Sequence, residues 1–135
     1  MEQAAFKFDT YQFTKASLDF NIPNKAELNI EFKPKGIFNS KNISYNLLFD
    51  VIVKCKETDI NVIEVSCSAL FSFNGIIAAN EIPDYFYPNS IAIVFPYVRA
   101  FISTMSLQAN VKPVVLPTIN LMGLTQELKE QTQVI

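Results

Sequence analysis

The sequence predicts an α+β fold in which a four-stranded antiparallel sheet carries two C-terminal helices packed on one face. In the first half of the chain, apolar residues alternate with polar ones in four stretches, which is the period of strands buried on one face. The second half changes to the spacing of amphipathic helices. Because all strands precede all helices, the helices are expected on one side of an antiparallel sheet. We expect one domain over residues 1–135, with 1–10 and 132–135 outside its ordered part.

The first two predicted strands differ in regularity. The first has a continuous apolar face and ends at Pro23. Its apolar positions are Ala16, Leu18, Phe20 and Ile22. The second is interrupted by Pro34 and Gly36 after the apolar residues Leu28, Ile30 and Phe32. Such an interruption is typical of a bulge or an edge strand.

The third and fourth strands form a predicted hairpin around the polar turn 57–59. Their core-facing residues are Tyr45, Leu47, Phe49, Val51, Val53 and Cys55 on one strand, and Ile63, Val65, Cys67, Ala69, Phe71 and Phe73 on the other. The predicted register places Val51 opposite Cys67 and Cys55 opposite Ile63. The two thiols then lie roughly 13 Å apart along the ladder, which is too far for a disulfide.

Two helices are predicted after the strands. Pro96 suits the first turn of the first helix, whose apolar stripe is Val98, Phe101, Ile102 and Met105. A loop with two prolines follows. The last helix covers 121–131, with Leu121, Leu124 and Leu128 on one side.

Composition argues against several classes of function. The chain has no His, three Gly, two Cys and a net charge of −2. It therefore lacks the commonest general base and metal ligand, the glycines of a nucleotide-binding loop, and the basic patch of a nucleic-acid binder. We expect no enzyme activity, no cofactor and no metal. The N-terminal residues lack a signal peptide's pattern, so a cytoplasmic protein without membrane insertion is expected.

Half of the residues are hydrophobic and twelve are Phe. Two explanations remain open at this point. The phenylalanines could fill a core, or some apolar surface could stay exposed for a partner, a second copy or a ligand.

A string of motifs in the second half of the chain is the most specific feature of the sequence: Tyr87-Pro88-Asn89, Phe95-Pro96-Tyr97-Val98-Arg99 and Ile102-Ser103-Thr104-Met105. Further segments are Leu18-Asp19-Phe20, Phe32-Lys33-Pro34, Leu70-Phe71-Ser72-Phe73 with Gly75, and Leu116 to Leu121 with Ile119-Asn120-Leu121. Taken in order over about residues 11–130, these motifs resemble the SecB family of export chaperones.

The resemblance implies a chaperone that holds unfolded or precursor polypeptides without ATP and can deliver them to the SecA motor. It also implies a dimer of dimers through the long helix, which would make Val98, Phe101, Ile102 and Met105 an oligomer interface. The implied client groove lies beside the last helix and the crossover between strands 1 and 2. Its expected residues are Phe20, Leu28, Ile30, Phe32, Ile63, Val65, Leu121, Leu124 and Leu128. Many of the strand residues could instead be plain core.

The family docks SecA through acidic residues on the exposed sheet face. By motif, Glu64 and the apolar Val62 keep that character, whereas Ser17 and Asn21 stand where acids are expected. The resemblance therefore leaves three functions open. They are a general export holdase, a chaperone dedicated to one client such as an antitoxin, and an oligomeric scaffold without chaperone activity.

Overall fold

A computed structural model describes residues 6–75, 78–117 and 120–135 of the chain. Residues 1–5 and Ile119 of the last matching motif lie outside the described residues. The elements, in chain order, are β1 (Phe6–Leu18), β2 (Leu28–Asn39), β3 (Ser44–Cys55), β4 (Asn61–Phe73), a short 3-10 helix (Ala79–Glu81), α1 (Phe86–Gln108), α2 (Leu121–Glu130) and β5 (Thr132–Val134).

The sheet contains five strands in the order β1-β4-β3-β2-β5. The four long strands pair antiparallel, whereas β5 runs parallel to β2 opposite Gly36–Phe38. The α+β class and the two helices are confirmed, but the prediction of a purely antiparallel sheet of four strands is wrong. The fifth strand has three residues, too few to show a period in the sequence. Ser40 Oγ donates to the carbonyl of Ile135 at 2.7 Å and fixes the chain end.

Strand β1 starts ten residues before the predicted apolar stretch and ends at Leu18 rather than at Pro23. Its pairing with β4 shifts between Phe8 and Thr10 and again between Phe13 and Lys15. Opposed residues in an antiparallel pair point to the same face, so these two bulges place Phe8, Tyr11, Phe13 and Ala16 together on the core side. The rings then meet α1, and the ring of Phe13 stacks on that of Phe101 with centroids 4.0 Å apart.

The predicted inner face of the β3–β4 hairpin is confirmed. Its residues from Tyr45 to Cys55 and from Ile63 to Phe71 are buried, and Phe73 is partly buried. The predicted register is wrong by two residues, because Val51 lies opposite Val65 and Cys67 lies opposite Phe49. Cys55 and Cys67 are both free and buried, as predicted.

Helix α1 begins at Phe86, so Pro96 lies inside it rather than in its first turn. Pro88 occupies the first turn instead, where a backbone N–H has no helical acceptor and a proline costs little. The helix is long and apolar enough to cross a bilayer by length and composition alone. A single such helix among the described residues is weak evidence of a membrane span, since a core helix passes the same test. Here Ile91, Val94 and Ile102 are fully buried in the core.

The chain end is attached to the sheet by one buried tyrosine. The Tyr45 hydroxyl lies 2.6 Å from Thr132 Oγ1, which donates to the carbonyl of Leu128 at 2.7 Å. The tyrosine ring crosses β2 at Gly36, where a Cβ atom would lie 1.8 Å from the Tyr45 hydroxyl oxygen. Glycine at this position therefore allows Tyr45 to hold α2 and β5 against β2.

Candidate functional site

An open apolar groove lies between two loop segments on the helix side of the sheet. One wall is the β1–β2 crossover with the start of β2, and the other is the loop that follows α1. The cavity volume is about 510 Å³. The lining residues are Phe20, Ile22, Pro23, Lys25, Ala26, Leu28, Ile30, Val111, Lys112, Pro113, Val114 and Val115.

The crossover wall is held by backbone hydrogen bonds. The N–H of Asp19 donates to the carbonyl of Val62 at 2.8 Å, which joins the start of the crossover to β4. The N–H of Ala26 donates to the carbonyl of Pro23 at 3.3 Å, and Lys25 has φ 64°. The turn leads directly into the start of β2, where apolar side chains remain at the surface. The side chain of Leu28 keeps 36% of its surface exposed, and such exposed apolar area is suited to a partner.

The loop wall is held by a fully buried serine at the end of α1. Ser106 Oγ accepts from the N–H of Val114 at 3.0 Å and donates to the carbonyl of Ser103 at 2.9 Å. Leu116 is buried at the far end of the loop. The groove wall formed by residues 111–115 was not predicted from the sequence, because this segment has no period. One sequence feature could have indicated that this loop is held against the helix: a serine in the last turn of an apolar helix, followed by two prolines.

Charge in the groove is of one sign. Lys25 and Lys112 are the charged residues among its lining residues, one on each wall, and both are exposed. The nearby carboxylate of Glu27 accepts from Lys56 Nζ at 3.2 Å and does not line the groove.

The edge of β2 beside the groove has no strand partner. Among the described residues, no strand pairs with the outer side of β2 between Leu28 and Phe32, because β5 covers only Gly36–Phe38, whereas residues 33–35 lie beside Glu127 and Gln131 at the C-terminal end of α2. An open edge offers backbone N–H and C=O groups to an extended peptide.

The structure brings together three of the predicted groove residues, namely Phe20, Leu28 and Ile30. Phe32 lies further along β2, where its ring meets that of Phe95 at a centroid distance of 6.0 Å. Two predicted residues of β4, Ile63 and Val65, have almost no exposed surface and support the sheet from within.

The three predicted residues of α2 have different environments. Leu128 is fully buried, Leu124 is partly buried against the core, and Leu121 is 36% exposed. None of them is among the lining residues of the groove. Leu128 holds the helix to the core, and only Leu121 offers substantial surface to a ligand.

The four residues of the predicted docking face do not form one continuous exposed surface. Ser17 and Glu64 lie opposite each other on β1 and β4, and Asn21 is exposed in the crossover. Val62 lies at a register shift of β4 and is fully buried, which corrects its predicted place on the exposed face. Lys15 Nζ donates to Glu64 Oε2 at 2.7 Å. This hydrogen bond, with a second from the Asn61 amide, holds the pKa of Glu64 below its usual value.

The predicted interface residues of α1 face the chain's own sheet. Val98 and Ile102 are fully buried, so they have no surface left with which to contact a second copy. Phe101 and Met105 are partly buried. The opposite side of α1 exposes Ala92, Pro96, Ala100 and Leu107, and Arg99 is the helix's one charged residue.

Comparisons with known proteins agree on one family. The sequence model of the family described as preprotein translocase subunit SecB matches residues 15–132. An uncharacterized protein of Methanocaldococcus jannaschii is 30% identical over a match 135 residues long. The match covers 95% of this chain and 87% of that protein. The protein-export protein SecB of Magnetococcus marinus is 29% identical over 127 residues, covering 84% and 79% of the two chains.

Among solved structures, the fold is similar to that of a SecB-like chaperone of Mycobacterium tuberculosis in complex with a ChAD peptide from the HigA1 antitoxin. The TM-score is 0.70 at 13% identity, with 86% of this chain and 88% of the other covered. At that identity the likeness concerns the fold.

Proposed function

The chain belongs to the SecB family, and we propose that it is an ATP-independent holdase, which binds unfolded polypeptide in the groove between the β1–β2 crossover and the loop after α1. The observation that carries this proposal is the open apolar groove of about 510 Å³, whose walls expose Leu28 and Val115 to solvent. A surface of this kind binds unfolded chains in preference to folded ones, since folded chains bury their own apolar side chains.

The groove is large enough to hold several client side chains. Burying one leucine or phenylalanine gives about 1.5–3 kcal/mol, while ordering a flexible peptide costs several kcal/mol in return. A single anchor is therefore insufficient, and three or four anchors, about 4.5–12 kcal/mol before this cost, give affinities in roughly the millimolar to micromolar range. Pairing of the client backbone with the open edge of β2 would add contacts that are independent of sequence. Together these contacts favour a binder of many clients.

We further propose a cytoplasmic homotetramer that uses the outer side of α1. That side exposes Ala92, Pro96 and Ala100, small side chains that allow close approach of a second helix. A closed symmetric assembly would bury the same stripe in each copy, and several grooves on one particle would raise avidity for a long client. Light scattering at micromolar concentration tests this proposal, and a mass near 15.3 kDa would reject it.

We propose that SecA binds weakly or not at all. The carboxylate of Glu64 is already engaged by Lys15, and Val62 is buried, so the face offers a basic partner little uncompensated charge. Calorimetric titration of the host's SecA at low and moderate salt decides the point. Tight binding that Glu64→Lys abolishes would contradict this proposal and favour ordinary export.

The second candidate is a chaperone dedicated to one client such as an antitoxin. The fold likeness to a chaperone bound to an antitoxin peptide and the compensated Glu64 favour it. A dedicated chaperone should bind its own client at least about tenfold more tightly than unrelated unfolded proteins. Equal affinity for unrelated clients would favour the general holdase.

Light scattering of a chemically denatured client, diluted into buffer without nucleotide, tests holding itself. We expect the protein to delay aggregation at roughly stoichiometric concentration, with no further effect of ATP. Aggregation at the uninhibited rate would reject the general holdase and leave the dedicated chaperone and the oligomeric scaffold as the remaining functions.

A further inference from the structure

We propose that the groove prefers client segments in which apolar side chains are flanked by aspartate or glutamate. This inference deepens the proposed holdase function and rests on it. It concerns which unfolded segments bind, and it follows from the charges at the edge of the groove.

Two lysines stand at the groove, and the residues that line it include no carboxylate. Lys25 lies in the crossover turn and Lys112 in the opposite loop, so a segment in the groove has one lysine on each side. The described ion pairs of the chain use other lysines. Both ammonium groups are therefore available to a ligand.

The backbone of the crossover determines the direction in which the Lys25 side chain leaves the turn. Lys25 adopts a left-handed backbone conformation with φ 64°, in a turn closed by the hydrogen bond from Ala26 to Pro23. A lysine can lay its alkyl stem along an apolar surface while its ammonium stays in water. The stems of Lys25 and Lys112 can thus extend the apolar walls, with the charges at the rim.

Local charge and net charge act in opposite directions. The whole chain carries −2 and would weakly attract a basic peptide from a distance. At about 0.1 M salt the screening length is roughly 10 Å, so charges in direct reach of the bound segment dominate. One exposed ion pair changes affinity by about 1.4- to 5-fold, and two such pairs by roughly two- to thirtyfold.

Fluorescence anisotropy with three labelled peptides tests the inference. All share one central run of leucine, phenylalanine and valine, and their flanks are glutamate, lysine or serine. With the wild-type protein at about 0.1 M salt, we expect the glutamate-flanked peptide to bind about two- to thirtyfold more tightly than the serine-flanked one, and the lysine-flanked peptide to bind least tightly because its charges repel the two ammonium groups. The ratio should shrink toward one at about 0.5 M salt.

Two double variants locate the effect. Lys25→Glu with Lys112→Glu should reverse the preference, so that the lysine-flanked peptide binds more tightly. Lys7→Glu with Lys41→Glu makes the same change in net charge outside the groove and should keep the wild-type preference. Circular dichroism checks that both variants fold.

Three outcomes are decisive. A reversal in the groove variant alone supports the inference. Equal affinity for both charged peptides overturns the inference, and so does equal behaviour of the two variants. In either case, binding of the serine-flanked peptide would still support the holdase. Failure of all three peptides to bind overturns the proposed function as well.

Discussion

Replacing Gly36 by alanine should destabilise the protein strongly, because the new methyl group has no room. Its Cβ would lie 1.8 Å from Oη, 2.2 Å from Cζ and 2.7 Å from Cε1 of Tyr45. Tyr45 is fully buried, so its ring cannot move aside without displacing its neighbours. The clash would also separate the tyrosine hydroxyl from Thr132 Oγ1, 2.6 Å away.

The size of the effect follows from two contributions. Overpacking a buried site costs about 1–3 kcal/mol, and loss of one buried hydrogen bond costs about 0.5–1.5 kcal/mol. The free energy of unfolding should therefore fall by roughly 1.5–4.5 kcal/mol. For a chain of 135 residues, about 1 kcal/mol corresponds to roughly 3.5 °C in Tm, so we expect a decrease of about 5–16 °C.

Differential scanning calorimetry at one fixed protein concentration measures this change. Gly123→Ala is the matched control, because its Cβ would meet nothing closer than 3.6 Å and alanine favours a helix by up to about 1 kcal/mol over glycine. Gly123→Ala should keep or raise the Tm. A Gly36→Ala protein whose Tm lies within about 2 °C of wild type would refute the role assigned to Tyr45.

Three further predictions concern α2, the outer sheet face and the thiols. Leu128→Ala should cost about 2–5 kcal/mol of unfolding free energy because Leu128 is fully buried, whereas Met122→Ala, at a side chain 85% exposed, should change little; equal urea midpoints would contradict this. The hydrogen bond from Lys15 lowers the pKa of Glu64 below 4.5. The contribution of this ion pair to the stability of the folded state is therefore complete above about pH 4.5 and is lost as pH falls through the folded-state pKa of Glu64. The stability difference between wild type and Glu64→Gln should therefore be present at about pH 7 and much smaller at about pH 3, and a difference of equal size at both would count against the ion pair. Burial raises the pKa of Cys67 to about 11, and Cys55 is also buried. A thiol reagent should therefore react with neither cysteine in the native protein and with both after unfolding; a fast native reaction would contradict the burial.

The sequence predicted those elements whose residues repeat with one period. Strands β3 and β4 alternate without interruption, and their buried faces lie where expected. The start of β1 was missed because bulges at Asp9 and Thr14 change the spacing of its inward residues from two to three. Counting by twos loses such a face, although the rings of Phe8, Tyr11 and Phe13 point the same way.

Other reasons explain why the start of α1 and the burial of Val62 were not predicted. The segment 86–95 is apolar on nearly every side, so it shows no helical stripe, and Pro96 suggested a start rather than an interior position. The burial of Val62 depends on a register shift in β4, which no pattern of residue types announces. One wall of the groove was predicted, because the resemblance implied a groove beside the crossover, which contains Phe20 and leads into Leu28 and Ile30. The other wall, residues 111–115, depends on hydrogen bonds to Ser106.

The central claim is that the groove holds unfolded polypeptide, and a matched pair of leucines tests it most directly. Leu28 lines the groove and is 36% exposed, whereas Leu70 lies on the opposite face of the sheet and is 38% exposed. The two leucines bury similar fractions of their surface, so replacing either with serine should affect folding to a similar extent. We expect Leu28→Ser to weaken binding of a labelled unfolded client by about three- to thirtyfold, and Leu70→Ser to leave it within about twofold of wild type. Equal losses in both variants, or no loss in Leu28→Ser, would contradict the groove as the binding site.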